Sequence, residues 1–112
     1  MTGFATFANT KRGLLANGLS PVLFRRVFKK DFLTARIEAQ KENGGMVELY
    51  GEMAFIMAMQ YDGGDLSKLT ENNYFEWLAG LNAADIENNV DVIHAIYEGN
   101  EVSLSDPKDA PR

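Results

Sequence analysis

The chain has 112 residues, enough for one hydrophobic core and too few for two. Hydrophobic residues make up 46% and charged residues 24%, the range of a folded globular chain rather than a disordered or fibrous one. The formal net charge is −5 and cysteine is absent, which excludes a disulfide framework, a thiolate metal site and a cysteine nucleophile.

Residues 1–19 form a segment of mixed signals. "GFATFA" alternates as a short strand does, whereas "NTKRGLLANGL" mixes a turn of helix with Gly and Asn breakers. The first clear helix is "SPVLFRRVFKK". At 3.6 residues per turn, Leu23, Phe24, Val27 and Phe28 share one arc, and Arg25, Arg26, Lys29 and Lys30 share the opposite one. Ser20 suits the N-cap and Pro21 the first helical position, where no backbone N–H is needed. The phase slips after Lys30, which places a bend or a new N-cap at Asp31. A second short helix follows, with Leu33 and Ile37 four residues apart and Gly44 and Gly45 closing it.

"MVELYGEMAFIMAMQYDGG" is the most apolar stretch. Met46, Leu49, Tyr50, Met53 and Met57 follow helical spacing, and Phe55, Ile56 and Met59 fill much of the remaining circumference, so this helix belongs in the middle of a bundle. Gly51 costs about 1 kcal/mol of helix propensity relative to Ala, and its use is the close approach of a neighbouring helix. In "KLTENNYFEWLAGL", Thr70 is the N-cap, Leu69 and Tyr74 form a hydrophobic staple, and Glu71 favours the positive end of the helix dipole. Phe75, Leu78 and Leu81 continue one face, with Trp77 beside it. The last helix takes Asn82 as N-cap and Asp85 at the third position. Its stripe is Ile86, Val90, Ile93 and Tyr97, and Gly99 ends it. Residues 100–112, with two prolines and no period, read as a disordered tail. The fold class expected is therefore all-α: a bundle of about five helices over residues 20–99, behind a 1–19 segment that contains at most a short strand.

Charge is unevenly divided. Residues 1–41 hold eight Lys or Arg against two Asp or Glu, a net +6, and residues 42–112 hold three against fourteen, a net −11. Such a chain can pack its basic part on its own acidic part, or stack on copies of itself. No run of 18 apolar residues exists and the first residues lack a signal-peptide core, so a soluble, cytosolic protein is expected.

Little in the sequence carries chemistry. His94 is the only histidine and cannot make a usual zinc site by itself. Glu48 and Glu52, like Glu87 and Asp91, stand one helical turn apart, the pattern of a solvated face, with no reason for a raised pKa. Phosphate-binding glycine loops, nucleophile elbows and calcium loops are missing, so neither an enzyme nor a cofactor is expected. The methionine stripe is either an adaptable binding surface or core, and Tyr74 and Trp77 are either interface anchors or core. The basic face could neutralise phosphates, but the acidic remainder and the absence of interleaved aromatic residues argue against nucleic acid. Membrane binding would expose the Leu23, Phe24, Val27, Phe28 face that the fold needs to bury.

The order of three pieces, "LSPVLFRRVFKKDFL", "AFIMAMQ" and "LTENNYFEWLAGLNAADIENNVDVIHAIYEGN", resembles the small tail assembly chaperones of long-tailed (siphovirus-type) phages and prophages of Gram-positive bacteria, over roughly residues 19–100. In that family a segment [YF]-[KR]-x-x-F-[GK]-[KR]-D precedes an apolar helix ending in A-x-Q, and a segment similar to "FLEWLEQF" leads into the last helix. Lys29 stands where glycine is common, and residues 1–18 have no counterpart. The resemblance implies an all-α, non-enzymatic protein of the host cytoplasm, absent from the mature virion. It would bind the tape measure protein, keep that protein's helices soluble and help recruit tail tube subunits. For many relatives it also implies a longer frameshifted product, whose extension would attach after Gly99. Partner contacts are expected on Arg25, Arg26, Lys29 and Lys30, with Tyr74 and Trp77, and the basic face could also join copies into a homo-oligomer. The competing readings are a small prophage DNA-binding regulator that uses the basic helix, and a structural head-tail component.

Overall fold

The computed structural model describes residues 1–99; the tail predicted over 100–112 lies outside the described residues. The elements are β1 (Thr2–Phe7), β2 (Thr10–Leu15), α1 (Ser20–Phe28), α2 (Phe32–Ala39), α3 (Gly45–Asp62), a 3-10 turn (Leu66–Lys68), α4 (Glu71–Ala79) and α5 (Asp85–Glu98). The fold is mostly helical rather than all-α, because β1 and β2 pair as an antiparallel hairpin with Phe7 opposite Thr10. "NTKRGLL" is thus a turn and a strand. Ala8 and Asn9 both take positive φ, 52° and 63°, which gives the two-residue turn the twist that flanking strands require. On one face of the hairpin Ala5, Phe7 and Leu14 are buried; on the other, Gly13 lets the Tyr61 ring lie directly on the backbone.

α3 is the axis of the molecule and packs against β2, α5, α1 and α2. Every residue from Leu49 to Ala58 is buried, as expected of a helix apolar nearly all round. A Cβ on Gly51 would stand 3.2 Å from Tyr74 Oη and 3.3 Å from Ile86 Cγ2, so α4 and α5 both close on the helix at this point. At the far end Gly63, with φ of 81°, stops it. Aromatic rings fill the space around α3: Phe28, Phe24, Phe32 and Tyr50 are linked in turn, the first pair tilted and the next two edge to face, with centroids 5.1–5.8 Å apart.

The helix starts divide into those set locally and those set by distant partners. Asp31 caps α2 by accepting from the Thr34 N–H at 2.9 Å, and Thr70 caps α4 in a reciprocal box with Asn73. Ser20 does not cap α1. Its buried hydroxyl donates to Gln60 Oε1 at 2.6 Å and accepts from the Asn17 N–H at 3.0 Å, fastening α1 to the end of α3. Asn82 does not cap α5 with its side chain either. Asp85 instead reaches back to the Asn82 N–H at 2.8 Å and also accepts from the Ala8 N–H at 2.6 Å, tying the hairpin turn to α5.

The face of α2 is the main departure from the periodic reading. Phe32 and Ala39 are buried, while Leu33 and Ile37 are 57% and 51% exposed. Phe75, expected on the inner face of α4, is 55% exposed as well. In both short helices an adjacent aromatic residue, Phe32 or Tyr74, takes the core position instead.

Candidate partner-binding site

The four basic residues grouped by the wheel do not remain one face. α1 ends at Phe28, and Lys29 adopts a left-handed conformation with φ of 63°, its N–H bonded to Arg25 O at 2.8 Å. The chain turns there. Lys30 swings to Glu52, with its ammonium 2.9 Å from Oε1, and Arg26 donates to the Leu66 carbonyl oxygen at 3.2 Å. Arg25 and Lys29 are exposed and make no ion pair among the described residues.

Tyr74 and Trp77 lie in the aromatic cluster. Tyr74 is buried between Phe28 and Phe55, and its phenol is pushed upward first by burial and then by the charges of Glu52, Glu48 and Glu71. Trp77 is half-buried and stands edge-on to Phe7 with centroids 5.5 Å apart; its Nε1 is buried without a hydrogen-bond partner. Both rings therefore serve the packing of α3, α4 and the hairpin.

α2 stands as a ridge with a groove on each side. One groove, about 470 Å³, is lined by Leu33, Ile37, Met46, Tyr50 and His94, with Arg36 and Glu98 at its edge. Its floor is a hydrogen-bonded chain. Tyr50 Oη lies 2.6 Å from His94 Nδ1, and Arg36 Nη1 donates to Glu98 Oε2 at 2.7 Å and to Tyr50 Oη at 3.4 Å. Side chains so held present a fixed surface, above which Leu33 and Ile37 project one helical turn apart.

The other groove, about 420 Å³, separates α2 from α3 and is acidic: Asp31, Glu38, Glu42, Glu48 and Glu52 line it against the single Lys30. Glu52 is only 6% exposed. Burial raises its pKa, Lys30 pulls it back in part, and the charges of Glu48 and Glu71 raise it further. Spacing alone placed Glu48 and Glu52 on one solvated face, yet only Glu48 is exposed. A carboxylate set among Gly51, Met53 and Phe55 on an otherwise apolar helix was the available sign of burial.

Among the described residues, no cluster of three or more His, Asp or Glu side chains is arranged to hold a metal ion, and no helix is long and apolar enough to cross a membrane. No family model, curated protein or solved structure matches this chain.

Proposed function

We propose that this protein is a non-enzymatic tail assembly chaperone of a long-tailed phage or prophage, which binds the helices of the tape measure protein in the host cytoplasm. The observation that carries the reading is the α2 ridge. Leu33 and Ile37 lie i, i+4 on a helix, more than half exposed, over a groove of about 470 Å³ that also contains Met46. An apolar helical stripe above a groove of this kind matches the helix-in-groove mode of recognition, in which an amphipathic client lays down its apolar face. The adaptable thioether of Met46 suits a client that offers many similar helical turns.

The resemblance over residues 19–100 supports the same reading. Lys29, at the position where glycine is common in that family, has the left-handed backbone that glycine adopts at least cost. Recruitment of tail tube subunits, and extension beyond Gly99 in a longer product, belong to this proposal.

Co-expression with the tape measure protein of the same genome tests it. The client becomes soluble and co-purifies with the wild-type chain, and Leu33→Ser with Ile37→Ser abolishes both while the variant remains folded. A client that stays insoluble with every form of the protein, a longer product included, overturns the reading.

A further inference from the structure

We propose that residues 101–105 of this chain, "EVSLS", dock in the apolar groove beside α2 and set Val102 and Leu104 against Leu33 and Ile37, so that a client has to displace them. That a client uses this groove rests on the proposed function above; the identity of the occupant rests on the chain itself.

The described chain ends at the mouth of the groove. Glu98, the last residue of α5, lines it together with Leu33, Ile37 and Met46, and its carboxylate is held by Arg36 at 2.7 Å. Gly99 follows with φ of 75°, and its N–H is bonded to the carbonyl oxygens of Ala95 and Ile96 at 3.2 Å, so the helix stops there and the next residues leave its axis. Residues 100–112 therefore start beside α2, where two large apolar side chains, Leu33 and Ile37, stand 57% and 51% exposed.

Reach and spacing fit this occupant. Val102 is three residues beyond Gly99 and Leu104 five, up to about 10 and 17 Å of extended chain. In an extended segment Val102 and Leu104 share one side, about 7 Å apart, and Glu101, Ser103 and Ser105 share the other. Leu33 and Ile37 are separated by about 6 Å along their helix, so the two apolar pairs match in spacing, and the polar residues between them stay in water. Val102 and Leu104 are also the only Val, Leu, Ile, Met or Phe residues between positions 100 and 112.

A tether of a few residues holds the segment at roughly millimolar effective concentration, so a contact of only millimolar strength keeps it in place much of the time. Two apolar side chains on an open groove make a weak contact of this kind, which covers Leu33 and Ile37 against association with other exposed apolar surfaces. A client helix with more apolar anchors displaces it. Because only the uncovered fraction binds, the cover weakens the client's apparent affinity by about two- to fivefold.

The chain has no cysteine, so introduced pairs report proximity without background. The full-length protein is made with Ile37→Cys and Leu104→Cys, and separately with Phe4→Cys and Leu104→Cys. Phe4 is 49% exposed and lines the other apolar hollow at the end of α5, with Val92 and Ile96. Titration of each protein in a glutathione redox buffer gives the effective concentration of the two thiols. The expected value is about tenfold or more higher for the Ile37 pair, with the disulfide inside one chain, and it falls to that of the Phe4 pair in urea. A ratio near one, a preference for Phe4, or a disulfide between two chains overturns the proposal. Val102→Ser with Leu104→Ser is expected to tighten binding of the tape measure protein about two- to fivefold, and unchanged or weaker binding overturns the displacement. The two readings fail separately. If the client binds through Leu33 and Ile37 while the thiol ratio is near one, this inference fails and the chaperone reading stands. If the client never binds while the Ile37 pair is favoured, the docked segment stands and the chaperone reading fails.

Discussion

Lys29 and Glu52 are residues whose local conformation or burial runs against their type. Lys29 holds φ of 63°, where an L side chain costs about 1–2 kcal/mol relative to glycine. Glycine also loses more chain entropy on folding, so Lys29→Gly is expected to stabilise by up to about 1 kcal/mol. Urea unfolding measures it, and a destabilised variant would show that Lys29 makes contacts worth more than its strain. Glu52 is a matter of pH. Its pKa is raised in the folded state, so the stability its proton confers is complete below the unfolded value and lost as pH rises through the folded one. Glu52→Gln, which mimics the protonated acid, should therefore improve in Tm relative to wild type as pH increases from about 4 toward neutrality. A constant difference would mean that Lys30 fully offsets the burial. Asp31 runs the other way: the Thr34 N–H and then the Thr34 hydroxyl hold its pKa down, so its contribution is present above its unfolded value and fades as pH falls further.

Among the elements, the long periodic ones were legible and the short ones only in part. α5 offers more than three turns over which one phase fits, α3 is marked by its length and near-uniform apolarity, and the boundary signals Thr70, Asp31 and Gly99 act within their own turn. α2 has eight residues and two rival apolar arcs. Leu33 with Ile37 is the better helical pair, but α3 is reached by Phe32 and Ala39, and tertiary contact decided the face. Ser20 was misassigned for a similar reason, since its hydroxyl partner, Gln60, is 40 residues away. The hairpin was half visible, because Ala8 is an unusual residue for a left-handed turn position and the usual Asn-Gly signal is absent. At this scale Thr70→Ala is expected to cost about 1 kcal/mol by removing a capping box. Thermal unfolding would show that as a fall of about 4–8 °C in Tm. A negligible change would mean that the Leu69 and Tyr74 packing fixes the start of α4 without the cap.

For the whole molecule, the split between a basic first part and an acidic remainder does not resolve into one internal interface. Lys30 pairs with Glu52 and Arg36 with Glu98, but Arg25 and Lys29 stay exposed, and the α2–α3 groove keeps an excess of carboxylates. The apolar surface is likewise divided: Leu33 and Ile37 lie together on α2 outside the core that runs from the hairpin to α5, and Phe4, Val22 and Phe75 are exposed elsewhere. Leu33→Ser with Ile37→Ser is therefore expected to change stability by less than about 1 kcal/mol, as for surface positions, while removing client binding. Unfolding by urea separates that outcome from a general loss of structure. The candidate docking residues Leu33 and Ile37 were hard to read for a physical reason: their significance lies in being apolar and left uncovered, which only the packing reveals. The most direct measurement is amide hydrogen exchange on the protein alone and in complex with the tape measure protein. Added protection concentrated in α2 and the first turns of α3, with the hairpin unchanged, is the predicted result; protection spread evenly, or confined to the hairpin and α4, would contradict the account.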